Sequence, residues 1–581
     1  MGNNKMKRAF LLLSILGSVT TDAVAEAPTV LDTVVVSATR SEQPTVPTPA
    51  SITVISEEDI AQSGAGNVAE LLKARAGVQV SDKYGDGTSG AVFDMRGFGD
   101  AAISNTLIMV DGRRLNNSSD MSAPDVSTIA LKDVERIEII QGSAGTLFGN
   151  QAVGGVINII TRTPQEFHAD VNLSMGSYVG RSLTTSVSNR IDNGISYRLS
   201  AEKKESDNYR DNSDVDYENL LARVDYEYSG GKIFGEFNYT DEDRELPGAL
   251  FLTQIKADRR QSTKTDYSLT QTNLGRFGLS HNLTDDWSFD VELAYRDVDL
   301  TSSYSGSIST QNRYVYTLTP RLVGVVPMNG GEAQFTIGSD IETTDYRTSW
   351  NTDVDQKIYA LYLQAVIPIN EQWSITGGAR RALVRNYIID STAFPGGENL
   401  DDGVTVGTIG LVYQPDQSWR WFARADENFR FAKADEHTFT VAGTTGLNNQ
   451  TGISYEIGGE WNSNYGSVKA TAYRLNLENE ISFDATANGP WGPLFGANVN
   501  LDATERNGLI LEAMARLHQD MKIGFNYSYV DAVTTSGTYK GNRVPLVAEH
   551  SAAILFDYTP NHVMNMHVEA KYVGEQYLSG D

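Results

Sequence analysis

The sequence predicts a mainly-β protein: a transmembrane antiparallel β-barrel preceded by a small N-terminal α/β domain. Three observations carry this. Beyond Phe167 apolar and polar residues alternate with a period of two, repeatedly and over most of the chain. The composition is that of a Tyr- and Gly-rich β protein, with 52 glycines, 27 tyrosines, 40% hydrophobic residues and no cysteine. Between Leu131 and Thr163, the apolar β-branched runs Val134–Ile140 and Val156–Ile160 flank glycines at 142, 145, 149, 154 and 155, the pattern of strand, tight loop and strand. No apolar run approaches the roughly 20 residues of a membrane-spanning helix.

Composition also excludes. Without cysteine there is neither a disulfide nor a thiolate metal site. A formal net charge of -27 argues against a nucleic-acid partner, since phosphate binding needs a basic face.

Residues 1–25 carry the three parts of a secretory signal peptide: Lys5, Lys7 and Arg8, an apolar run from Ala9 to Val19, and the small-x-small site Ala23-Val24-Ala25. The mature chain is expected to begin near Glu26. In the leader of residues 26–50, the β-branched run Leu31–Ala38 precedes the Pro-rich stretch Pro44–Pro49. An extended run with no strand beside it invites strand addition by a partner.

Residues 51–164 read as a mixed α/β unit. We expect a strand at Ile52–Ile55, a helix from about Glu57 to Ala74 with an acidic first turn, and strands around Val78, Phe93, Leu107 and Ile137. Arg96, Arg113, Arg136 and Glu138 are charges in or beside apolar strands; where buried, they must be paired.

Met95-Arg96-Gly97-Phe98-Gly99, Leu107-Ile108-Met109-Val110-Asp111-Gly112-Arg113 and the Leu131–Thr163 stretch, in that order, resemble the plug domain of the TonB-dependent outer-membrane receptors. Gln141-Gly142-Ser143 departs from the family's Arg-Gly-Pro, which implies a looser turn. The resemblance implies a monomer in the lipid of the bacterial outer membrane, with a barrel of the 22-strand type around the plug. It makes Asp32, Thr33, Val34, Val35 and Val36 the TonB box, gripped by the TonB protein of the inner-membrane energising complex. It implies charge pairs from plug to wall through Arg96, Arg136 and Glu138. The implied activity is energised import of a small-molecule metal chelate, chiefly a ferric siderophore, with cobalamin or haem as alternatives and no cofactor. A passive channel or an adhesin on the same barrel is the rival class.

From residue 165 to 581 the alternation defines the wall. In Leu220–Tyr228, Leu220, Ala222, Val224, Tyr226 and Tyr228 share one face and Leu221, Arg223, Asp225 and Glu227 the other. Such a face, apolar outward and polar inward, fits a barrel with a wet interior. Short turns, for example Asp192-Asn193-Gly194, Asn370–Trp373 and Ser463–Gly466, belong on the periplasmic side. Long polar loops near 205–216, 242–265, 299–310, 346–356, 390–402, 432–450, 484–501 and 534–546 then face outward. This gives about 19 strands, an odd number where bacterial single-chain barrels have even ones, so a fragment lacking about three C-terminal strands is expected.

Candidate ligand-binding residues follow from the outward segments: Tyr84 in the Lys83–Ser89 loop, Asn116 and Asn117 in the Leu115–Met121 loop, and Trp491 in the aromatic loop 484–501. His437 follows Phe429-Arg430-Phe431-Ala432, which loosely resembles the neighbourhood of a haem-ligating loop His, though Pro and the Asn-Pro-Asn-Leu half are absent. Asp207, Asp211, Asp214 and Asp216 are closely spaced oxygen donors and candidate Ca²⁺ ligands, without the fixed Gly and terminal Glu of an EF-hand. The acidic loops, with few outer basic residues (Arg210, Arg244, Arg259, Arg260), favour a neutral or cationic chelate. No enzyme is expected: Gly142–Gly149 lacks the Gly-Lys-Ser/Thr ending of a phosphate loop, and the histidines are scattered.

Overall fold

The computed structural model describes residues 40, 47–84, 89–493, 495–561 and 564–578. The signal peptide and the TonB-box residues Asp32 to Val36 lie outside the described residues.

The N-terminal domain is built from β1 (Ser51–Ile55), α1 (Glu57–Ser63), α2 (Val68–Leu72), β2 (Gln79–Asp82), β3 (Ala91–Asp94), β4 (Thr106–Val110), β5 (Arg113–Arg114), β6 (Val134–Gln141), α3 (Gly145–Phe148) and β7 (Gly155–Thr161). One sheet has the order β1-β6-β7-β4-β5, and β2 pairs with β3 alone. The expected single helix is two. Ser56 and Asp59 close a capping box at the start of α1, but Gly64 at φ +66° ends it after two turns, and Asn67 caps a fresh start for α2. The second helix turns Val68, Ala69, Leu71 and Leu72 onto Ile108, Ile137, Ile139, Ile157 and Ile159, the core of the domain. Leu221 of the barrel wall joins that core, so the two domains share apolar packing.

Among the described residues the wall comprises twenty strands in one ring. Two of them, Ser307–Leu318 and Arg321–Met328, are halves of one. Both pair with Trp287–Tyr304 on one side and Gly331–Thr348 on the other, in unbroken register. Pro320, without an N–H, interrupts the ladder between them. The wall is therefore nineteen strands wide, the number the turns predict. The ring closes where Met564–Val573 meets His168–Met175, and an odd count makes these two run in the same direction.

Alternation resolves as expected: Leu220, Val224 and Tyr226 are exposed outward, while Arg223 and Asp225 point in and pair at 2.9 Å. Near the short turns, Trp373 stacks on Tyr413 (4.4 Å between centroids), Trp419 on Trp421 (5.5 Å) and Trp287 on Phe335 (6.3 Å), an aromatic girdle at one membrane interface. Three of the expected long loops are hairpins instead. Trp287–Tyr304 passes to Ser307–Leu318 through Ser305 and Gly306, and only residues 349–351 and 391–393 separate the next two pairs. Above the membrane neither face needs to be apolar, so the alternation fades while the hydrogen-bonded ladder continues. Ala497–His518 reaches 22 residues, against the 9–11 or so that cross the hydrocarbon.

Candidate functional site

The site is the contact between the plug and the inner wall, and it begins with a turn. The carboxylate of Asp94 accepts the N–H groups of Gly97 (3.1 Å), Phe98 (2.9 Å) and Gly99 (2.9 Å), which folds Met95–Gly99 into a tight loop. Arg96 is held at φ +75° and points at the wall. Its guanidinium meets Glu456 at 3.0 Å and Ser454 Oγ at 2.8 Å, and lies over the Tyr473 ring at 4.0 Å. Glu456 also takes Arg424 at 2.9 Å. A Cβ on Gly142, itself at φ +89°, would run into Arg96 and Glu456. Close by, Arg506 and Glu480 pair in the buried wall at 2.6 Å, and Arg506 Nε donates to the Gly97 carbonyl (3.3 Å).

The Gln141–Ser143 departure does not loosen the turn. Gly142 N donates to the Gly154 carbonyl (3.1 Å), Ser143 Oγ donates to the Val153 carbonyl (3.0 Å) and accepts from Asn428 (2.8 Å), and Gln141 reaches the Ala76 carbonyl (2.9 Å). Arg136 differs from expectation too: it spends its charge on its own strand, on Glu138 two residues along the same face (2.8 Å) and on the adjacent Glu135. The Arg96 ion pair crosses to the wall.

A second contact closes the outer end. Asp120 binds Arg313 at 2.6 Å, Lys433 Nζ donates to the Asp120 carbonyl (2.7 Å), and the Met121 N–H donates to the Asp435 carboxylate (2.8 Å). Lys433 and Asp435 belong to an outer segment with one helical turn, α4 (Ala434–Thr438), anchored by the buried Arg430–Glu436 pair (2.7 Å). Burial, with Asp120 and Glu436 near, raises the Asp435 carboxyl above the usual range.

This roof removes several predicted ligand contacts. Asn116 is buried in the plug, donating to the Ile103 and Thr106 carbonyls and accepting from Ile108 N (2.8 Å). Asn117 accepts from Arg296 of the wall (2.7 Å). His437 is 6% exposed, and its Nδ1 accepts the Leu447 N–H (3.0 Å), so burial holds the imidazole neutral with its pKa down to about 4. Its loop folds back over it instead of presenting it to a ligand. Tyr84 stacks under Arg244 (4.4 Å), and Trp491 alone stands well out of the surface, 67% exposed, its edge on Phe439.

The candidate Ca²⁺ ligands do not converge: among the described residues no group of three acidic or imidazole side chains is placed to hold a metal. Asp216 pairs with Lys203 of the neighbouring strand, while the backbone N–H groups of Asp207 and Asp211 donate to the Tyr178 and Arg260 carbonyls. Arg210 is likewise tied to the Gly248 (2.6 Å) and Gln261 (2.8 Å) carbonyls. Arg313, Lys433 and Asp435 were missed by sequence reasoning. The Phe429-Arg430-Phe431 triplet, a charge between aromatics at a strand end, was the available signal.

Residues 176–581 match the family model described as TonB dependent receptor-like, beta-barrel, and residues 44–156 match the TonB-dependent Receptor Plug Domain. The chain belongs to the TonB-dependent receptors. It is accordingly an outer-membrane β-barrel protein. It is similar to the Vitamin B12 transporter BtuB of Vibrio vulnificus, 26% identical over 83% of this chain and 75% of that protein in one strain. In another strain the match is 30% over 47% of this chain and spans 41% of the relative. The Iron-regulated outer membrane virulence protein of Vibrio cholerae is 24% identical over 94% of this chain and 85% of its own. Among solved structures, the unliganded ferric citrate transporter FecA superposes with a TM-score of 0.79 at 20% identity, covering 91% of this chain and 85% of the other. The ferric yersiniabactin uptake receptor FyuA from Yersinia pestis gives 0.76 at 15% identity, covering 92% and 87%.

Proposed function

We propose that this receptor imports a scarce metal chelate, a ferric siderophore, across the outer membrane as a monomer, powered through the TonB protein and without catalysis. The observation that carries this is the plug's double fastening, by Arg96–Glu456 at mid-wall and by Asp120–Arg313–Lys433 under the outer loops. A lumen so filled passes nothing the size of a chelate until the plug moves, and moving it against buried ion pairs takes work. That supports an energised gate over a passive channel or adhesin. The names of the similar Vibrio proteins speak for iron or cobalamin. Haem is disfavoured by a His437 whose Nδ1 is occupied and whose ring is covered.

The test is uptake of labelled ferric siderophores, cobalamin and haem by cells expressing the receptor, with and without deletion of Asp32–Ser37. We expect uptake of one substrate that the deletion abolishes. Uptake that survives the deletion rejects the energised mechanism.

A further inference from the structure

A cavity of about 620 Å³ lies between one side of the plug and the wall. Its lining runs from Ser118, Phe429 and Phe431 toward the outer loops to Glu227, Lys232 and Asn282 beside the periplasmic turns. Nine arginines and a lysine face seven carboxylates there, a positive surplus in a chain of net charge -27.

Most of these charges cancel. Arg223 and Arg276 share Glu236 at 3.0 Å, Arg380 (2.6 Å) and Arg40 (3.0 Å) share Asp340, and Arg321 takes Asp290 (3.1 Å). Arg113 and Arg114 are different. The Asp111-Gly112 turn, with both residues at positive φ (48° and 79°), is the tight hairpin that reverses β4 into β5 and puts both arginines on the cavity. Neither forms an ion pair among the described residues. Arg113 donates weakly to the Arg114 carbonyl (3.4 Å), and its Nε, buried, has no partner. Arg114 donates to the Asn150 (2.6 Å) and Phe148 (3.0 Å) carbonyls. Arg296, whose charge acts on Arg113, likewise serves neutral acceptors, the Leu115 carbonyl (2.8 Å) and Asn117. Among the lining carboxylates, Glu342 is the one outside any described ion pair. Glu236 and Glu292 act on Arg113, and Glu342 and Asp340 on Arg114, without forming an ion pair with either; an arginine cannot shed its proton, so these enclosed guanidinium groups keep room for a directly bonded anion.

We propose that this cavity is a preformed binding station for carboxylate-bearing cargo, in which the guanidinium forks of Arg113 and Arg114 take a carboxylate of the chelate on its way toward the periplasm. The inference rests on the transport reading above and narrows its cargo to anionic polycarboxylate chelates. It reverses the expectation drawn from the acidic outer loops. Arg210 and Arg244 are absorbed in contacts within the protein, so the sign of the outer loops does not report the sign of the cargo.

Two measurements on the full chain test it. In detergent solution, citrate is titrated into wild type, R113Q, R114Q and R113K by calorimetry. In cells, uptake of iron as ferric citrate and as a neutral trihydroxamate chelate is followed for the same variants at matched surface abundance. We expect citrate binding that R113Q and R114Q each weaken about tenfold, as loss of a charge-assisted hydrogen bond does, and that R113K, which keeps the charge but not the fork, weakens less than R113Q. We expect ferric citrate uptake whose maximal rate falls in R113Q while half-saturation, set at the outer face, is unchanged. Citrate binding that is absent, or indifferent to R113Q and R114Q, overturns the station. Deletion-sensitive uptake of the neutral chelate alone keeps the transport reading and overturns this one. Uptake of neither chelate rejects import of iron in these forms, and the citrate titration still decides the site.

Discussion

Glu456 sits between two arginines, Arg96 of the plug and Arg424 of the wall, and all three side chains are buried. Removing one arginine leaves the carboxylate its other partner; neutralising the carboxylate leaves two guanidinium groups without an anion. We therefore expect E456Q to destabilise the plug's seating more than R96Q does, by roughly 3–5 kcal/mol against a smaller loss. Urea midpoints of the detergent-solubilised receptor, read for the single and double variants, check the order. An R96Q variant that is the weaker of the two would reject this account of the seam. At this scale the sequence was half legible. A charge within Met95–Gly99 announced a buried pair, but its partner lay 360 positions away on the wall, where Glu456 looks like any inward carboxylate of an alternating strand. Arg136 misled for the converse reason: its partners were its neighbours.

Among the elements, the outer segment around α4 has a titratable support. His437 is neutral when buried, with its pKa near 4 against 6.5 when exposed, and Nδ1 must stay unprotonated to accept from Leu447. The opened segment binds a proton as pH falls below about 6.5, while the closed one resists until about 4. The His437 contribution to the closed roof is thus full at neutral pH and lost across that window, by up to about 3 kcal/mol, while the raised Asp435 carboxyl titrates in the opposite sense, favouring the closed state as pH falls. Between pH 6.5 and 4, hydrogen-exchange protection of the Lys433–Leu447 amides should fall in wild type relative to H437Q, which keeps an acceptor without the titration and shares the Asp435 background. The same pH dependence in wild type and H437Q would sink this role. The segment was legible only as a long polar loop, because its ordering comes from Asp120 and Asn150 of the plug, which no local pattern encodes.

For the molecule as a whole, the periodicity of two was enough to count the wall, since lipid outside and water inside impose the same alternation on every crossing. It failed above the membrane, where hairpins such as Trp287–Leu318 need no apolar face. If the plug is what fills the lumen, deleting residues 47–163 should give a receptor with large single-channel conductance in planar bilayers, whereas deleting Ala434–Thr438 should leave it closed, because the Arg96 seam persists. A closed plug-less barrel would contradict the filled-lumen picture. The leader enters the plug at Ser51, and β1 is an edge strand joined by five residue pairs to β6 alone within its sheet. On its other side it leans on the wall, through Thr53 to Glu512 (2.6 Å) and through the neighbouring Ala50 carbonyl to Arg420 (3.0 Å). A pull on the leader from the N-terminal side would therefore load this short, half-clamped ribbon before the isoleucine core, and would be expected to strip β1 from β6 first.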